Sequence, residues 1–161
     1  MKNIGIKNSV ITPQIYSPSV LAKKIFIDAN IAITKDEADL FSTALGMLNV
    51  QLRIDNIDLD NIRSVNIIFT GNGGYEFYSN FNATLGIMKN IIVYAIDRLR
   101  IRKVDGYKYI AIYLEELIHH FYNSEDEVFV KEKILETCIN NNLKVTKQQL
   151  FYYEDGYVQW K

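Results

Sequence analysis

Apolar positions recur along this chain with two periods, about two residues and about three and a half, and the changes of period mark out its elements. Residues 10–16 alternate and predict a short strand, which Ser17-Pro18-Ser19 breaks before a helix start. From Val20 onward, Leu21, Ile25, Ala29 and Ala32 follow helical spacing, with Lys23, Lys24 and Asp28 on other faces. Thr34-Lys-Asp-Glu37 has the form of a capping box and opens a helix with Ala38, Phe41, Leu45 and Leu48 on one side. Residues 64–70 read as a buried strand, and Gly71-Asn-Gly-Gly74 ends it in a turn that needs positive backbone dihedrals. Residues 75–80 alternate aromatic and polar side chains, as a half-exposed strand does. Residues 85–99 carry both periods: 91–96 has strand propensity, while Met88, Ile92, Ala95 and Leu99 also mark a helical face. We read a strand ending near Ile96.

Gly106 punctuates the chain ahead of a helix over about 107–121, which Asn123-Ser124 stops. Ser124-Glu-Asp-Glu127 has the form of a second capping box, opening a helix over about 125–141 with Val130, Ile134, Leu135, Cys138 and Ile139 inward. At the end of the chain, Asp155-Gly156 between aromatic runs predicts a hairpin over about 150–160, with Gly156 as a helix C-cap the competing reading. These elements predict one domain over residues 1–161, of α+β class, with a small mainly antiparallel sheet packed against three to four helices.

Composition narrows the function classes. With 161 residues, 48% of them hydrophobic and 23% charged, the chain can bury one sizeable core. A net charge of −1 lacks the basic stripe of an electrostatic nucleic-acid binder, so nucleic acid is not the expected partner. The run Arg98, Arg100, Arg102, Lys103 reads first as a solvated surface, and second as a basic edge for an acidic partner. Cys138, the single cysteine, excludes an intrachain disulfide and any multi-cysteine zinc site; its apolar neighbours suit an inert buried thiol. No window has the ~20 apolar residues of a membrane span, and the first residues lack a secretory pattern. The expectation is a soluble cytoplasmic protein with no membrane partner. Abundant isoleucine, asparagine and lysine point to an AT-rich bacterial or phage genome.

The chemistry concentrates in Leu114-Glu-Glu-Leu-Ile-His119-His-Phe121, which holds both histidines of the chain. On a helical wheel Ile110, Leu114, Leu117 and Phe121 form the core face. Glu115 and His119, one turn apart, project together away from it, and Glu116 and His120 form a second pair on a flank beside Tyr113. Each pair could be two metal ligands, a charge-assisted hydrogen bond, or an ordinary surface pair. The register resembles the active helix of the zincin-like metallopeptidases, His-Glu-x-x-His, with the first histidine replaced by Glu115. That resemblance, which covers about residues 107–140, implies Glu115 and His119 as metal ligands and Glu116 as general base. Glu127, on the helix after a short turn, is the third ligand the resemblance implies.

A Glu, His, Glu set is harder and more anionic than the usual zinc site and makes bound water less acidic. One divalent metal (zinc, manganese or iron) and no metal at all are both open. Other chemistries lack their motifs: no Gly-Lys-Ser/Thr completes a phosphate loop after Gly74, no nucleophile signature accompanies the histidines, and a second Glu-x-x-His for a di-iron site is missing. Tyr152, Tyr153, Tyr157 and Trp160 are candidate partner-binding aromatics, or a hairpin packing its own rings. The leading expectation is a degenerate zincin-like domain, non-proteolytic or with an atypical metal, that binds another macromolecule, expected to be a protein. The alternative is a small metal-free interaction protein, such as a phage or mobile-element inhibitor of a host defence system.

Overall fold

Val65-Asn-Ile-Ile-Phe-Thr70 carries no charge over six residues, which suits a strand covered on both faces. The structure, a computed structural model, describes residues 4–79, 88–154 and 157–160, with the backbone alone at Ile4, Tyr78, Ser79, 151–154 and 157–160. In it β3 (Val65–Thr70) is buried at every position and forms the centre of a three-stranded sheet. Its neighbours are β2 (Ile25–Ala29) and β5 (Asn90–Ala95), and both run parallel to it, with Ile27 opposite Ile67 and Ile67 opposite Ile92. The α+β class is as expected, but the main sheet is parallel. Among the described residues antiparallel pairing is confined to two ribbons, β1 (Ile4–Ile6) with β4 (Phe77–Ser79) and β6 (Phe151–Glu154) with β7 (Tyr157–Trp160).

Two departures explain this change. Residues 25–29 form β2, and the predicted helix shrinks to the single turn α1 (Ser19–Ala22). A spacing of four residues puts Ile25 and Ala29 on one side of a helix and equally on one face of a strand, so the periodicity did not discriminate. Residues 10–16 form no strand; Val10 N–H makes a lone bond to the Ala29 carbonyl. The Gly71–Gly74 stretch then leads β4 away to β1 instead of folding back on β3. Of its glycines Gly73 alone has positive φ, +95°, and Thr70 Oγ1 accepts its N–H at 2.7 Å.

The 85–99 ambiguity resolves in sequence: β5 ends at Ala95 and α3 (Ile96–Ile101) begins at once, so both periods are used in succession. From α3, Arg100 reaches the start of α2 (Lys35–Ile54). Its guanidinium donates to both Glu37 carboxylate oxygens, at 2.7 and 2.8 Å, and to the Ala32 carbonyl at 2.9 Å. The basic run is therefore not wholly a solvated surface. The capping box is present as expected: Thr34 Oγ1 accepts Glu37 N–H at 3.1 Å, and Glu37 Oε2 accepts Thr34 N–H at 2.8 Å.

Helices α4 (Gly106–Phe121) and α5 (Glu127–Asn140) pack against α2 and each other, and α4 also contacts β5. The core they close over centres on Phe41, Phe69, Tyr94 and Tyr113, with ring centroids 5.0 Å apart for Phe41–Tyr113 and 5.1 Å for Phe41–Phe69. Tyr113 is fully buried here, so the expected flank beside Glu116 and His120 does not include it. Cys138 is buried, and burial pushes its thiol up to about 11, the inert state expected of it. A short α6 (Lys147–Leu150) precedes the final ribbon, in which Glu154 pairs with Tyr157 as a two-residue hairpin requires. Asp155 and Gly156 themselves lie outside the described residues. No helix among the described residues is long and apolar enough to cross a membrane.

Candidate functional site

The carboxyl end of α4 lies beside the amino ends of β3 and β5, and the chain turns there into α5. This turn is built by hydrogen bonds. Asn123 adopts positive φ, +48°, its N–H bonds the His120 carbonyl at 3.3 Å, and Ser124 N–H bonds the His119 carbonyl at 3.1 Å. Together they make a Schellman closure with asparagine at the left-handed position. The expected capping box at Ser124 is replaced by a cap two residues later. Asp126 Oδ1 accepts Val128 N–H at 2.9 Å and Phe129 N–H at 3.2 Å, while Ser124 Oγ accepts Asp126 N–H. Asp126 wins because the Schellman closure has already committed the Ser124 backbone to α4. Glu127 becomes the first residue of α5, facing α4 across the turn.

His119 is locked by the same turn. Its Nδ1 lies 2.6 Å from the Ser124 carbonyl, which can only accept, so Nδ1 carries the proton and Nε2 is directed outward. Nε2 lies 3.4 Å from Glu127 Oε1. One donor atom each from Glu115, His119 and Glu127 falls within 4.8 Å of the others, so the three residues expected as ligands do converge. Glu115 is 14% exposed, His119 20% and Glu127 57%, which places the cluster at the rim of the core.

A fourth group shares the cluster. Lys131, with its side chain only 2% exposed, brings Nζ against Glu115 Oε1 and to 3.3 Å from Glu127 Oε2. Burial pushes its amine down to about 8, while the two adjacent carboxylates favour the charged form. Lys131 had no place in the expected site. The signal was nonetheless present: 127, 131, 134 and 138 share one stripe of α5, and Ile134 and Cys138 are buried, so a lysine at 131 faces inward. It also stands one turn after Glu127, the favourable order for a helical ion pair.

Glu116, the expected general base, is exposed and lines an open cleft of about 610 Å³ between α4 and β5, whose wall also includes Asn90, His119, His120 and Asn123. The cleft is acidic on the side of the turn, where Glu125 and Glu127 join Glu116. His120 borders the same cleft but stands outside the Glu115, His119 and Glu127 cluster. Its Nε2–H donates to the Arg63 carbonyl at 2.8 Å and its ring meets Phe121 edge-on at 5.0 Å. Burial depresses its proton affinity, with the Arg63 carbonyl opposing, and this histidine serves structure. The backbones of Tyr152, Tyr153, Tyr157 and Trp160 lie in β6 and β7, and the side chains on which their partner role depends lie outside what is described. Compared with family models, curated proteins and solved structures, the chain matches none.

Proposed function

We propose that this chain is a zincin-like scaffold that has lost hydrolysis and serves to bind another macromolecule, a protein, at the cleft between α4 and β5. The observation that carries this reading is Lys131. In a hydrolytic centre of this layout two ligands four apart on a helix and a third from the next helix grip a metal whose bound water attacks the substrate. Here the chain's own ammonium stands against two of those three groups, which supplies their positive charge without supplying a water to activate. The cleft remains open, lined by Glu116, Glu125 and Glu127 on the side of the turn, with Lys89 the one lysine in its wall among the described residues. An acidic wall repels phosphate and favours a basic protein surface.

The test has two arms. Purified protein is assayed on unfolded-protein and peptide substrates with added zinc, manganese or iron(II), alongside Glu116→Gln and His119→Ala. No hydrolysis dependent on these residues is expected, and activity abolished by both substitutions would overturn the proposal. In the second arm, a photo-crosslinking residue at exposed Asn123 is expected to trap one protein in cells of the source organism. Cross-links absent at Asn123 but present from a residue on the far side of the molecule would move binding away from the cleft.

A second reading, an atypical metal centre, is favoured by one observation: His119 Nε2 and Glu127 Oε1 stand 3.4 Å apart with the other ring nitrogen already committed. Stoichiometric metal retained on purification, and lost in both His119→Ala and Glu115→Ala, would support that reading over the first.

A further inference from the structure

The His119–Glu127 contact poses a specific electrostatic demand. Because Nδ1–H is engaged with the Ser124 carbonyl, a neutral His119 presents a lone pair from Nε2 toward a carboxylate oxygen 3.4 Å away. Two such acceptors face each other only where a proton or a cation lies with them. Their spacing is also informative: two donor atoms about 2.1 Å from one zinc ion, at a tetrahedral angle, stand about 3.4 Å apart. Glu115 completes a set of three within 4.8 Å. The positive charge in this neighbourhood comes from Lys131, buried on the inward stripe of α5, and lysine is almost never buried without such pairing.

We infer that Glu115, His119 and Glu127 form a divalent-cation site whose built-in occupant is the Lys131 ammonium, so that a metal ion enters only by displacing that side chain. This deepens the cluster geometry on which the scaffold reading rests, and it holds whether or not the cleft captures a protein. With Lys131 in place, an incoming dication meets a like charge within a few ångströms in a half-buried setting, and binding is weak. Replacing Lys131 by an uncharged side chain of similar length leaves two carboxylates and one imidazole with net charge −2, a donor set that suits zinc and cobalt(II). The tether explains how a cluster with ligand-like geometry can be stable without a metal.

The test compares the wild type with Lys131→Met by calorimetric titration with zinc, and by the visible absorption of added cobalt(II), at one fixed pH. Lys131→Met is expected to bind one ion per chain on the order of 100-fold more tightly than the wild type, with the intense bands of tetrahedral cobalt. The gain should vanish in Lys131→Met combined with His119→Ala. Measurable but equal affinity of wild type and Lys131→Met overturns the inference, because the lysine would then not be the competitor. No binding by either protein overturns it equally, because the three donors would then not form a site. Circular dichroism checks that the variant is folded, and Lys131→Gln replaces it if it is not. On the unaltered chain, the lysine side-chain NMR signal of Lys131 is followed at saturating zinc: displacement is expected, and zinc bound with that signal unmoved overturns the inference. Hydrolysis by the wild type would remove the scaffold reading and is read from a separate assay.

Discussion

A lysine with its side chain 2% exposed carries the largest electrostatic obligation of any single side chain in the candidate site. Its charge is compensated chiefly by Glu115, which is itself largely shielded, since Glu127 is half in water. Removing one partner of a buried pair leaves an uncompensated charge, whereas removing the lysine leaves a carboxylate that can turn toward solvent or take up a proton. Glu115→Gln is therefore expected to lower stability to urea by about 2–4 kcal/mol, and Lys131→Met by clearly less. The reverse order would show that Glu115 does not stabilise Lys131. At this scale the sequence picked out three residues whose donor atoms converge, because ligand-like spacing on a helix and an acid after a short turn are local features. It did not name the cation among them. A charge on a helical wheel is read as solvent-facing, and only the joint stripe of Glu127, Lys131, Ile134 and Cys138 shows otherwise.

The start of α2 shows how much one element end can depend on pH. Burial raises the Glu37 carboxyl, but hydrogen bonds from Arg100 and from Thr34 outweigh it and hold the group below its ordinary value of 4.5. The folded state therefore binds this proton less readily than the unfolded chain does. The resulting stability is complete above the unfolded value and is lost as the pH falls through the folded one. Chemical denaturation between about pH 3 and 6 should show stability falling on acidification in the wild type, with a shallower fall in Glu37→Gln. An unchanged slope would remove Glu37 from the acid response. The capping box that builds this end was legible from Thr34 and Glu37 alone, because a cap is made by residues three apart. Its Arg100 partner was not, since it arrives from α3 across the structure. The same distinction separates the elements themselves. α4 and α5 were legible within a residue or two from their periodicity, while β2 was hidden by a four-residue spacing that a helix and a strand share.

On the scale of the whole molecule, the three long helices are joined by a polar layer. Gln51 of α2, fully buried, donates to Asp55 at 3.0 Å and to Glu136 of α5 at 3.1 Å, and accepts from Asn140 at 2.8 Å. Tyr122, at the end of α4, donates to the same Asp55 at 2.6 Å, and Lys133 bridges Asp55 and Glu136. Gln51→Ala leaves several of these groups unmatched and is expected to cost about 1–3 kcal/mol in the urea midpoint analysis, with faster amide exchange along α5 as well as α2. A loss confined to α2 would mean that the layer does not couple the helices. The α+β class was legible because it follows from counting elements, yet the direction of the main sheet was not. Parallel pairing is decided by which distant segment comes to lie beside β3, and no local pattern encodes that, although its uncharged run already favoured a strand covered on both sides.

That pairing has a kinetic consequence. Neither neighbour of β3 is adjacent to it in the chain: Ile25 meets Val65 only after all of α2 has been traversed, and Val65 meets Asn90 only after β4 has been sent to the far ribbon. Chain entropy must be surrendered before any of these contacts forms, which places the domain among slower folders, on the order of milliseconds to seconds rather than microseconds. A ribosome releasing the chain from its amino end would deliver β2 before β3, so Phe26 and Ile27 wait without their strand partner until the centre of the sheet has been made.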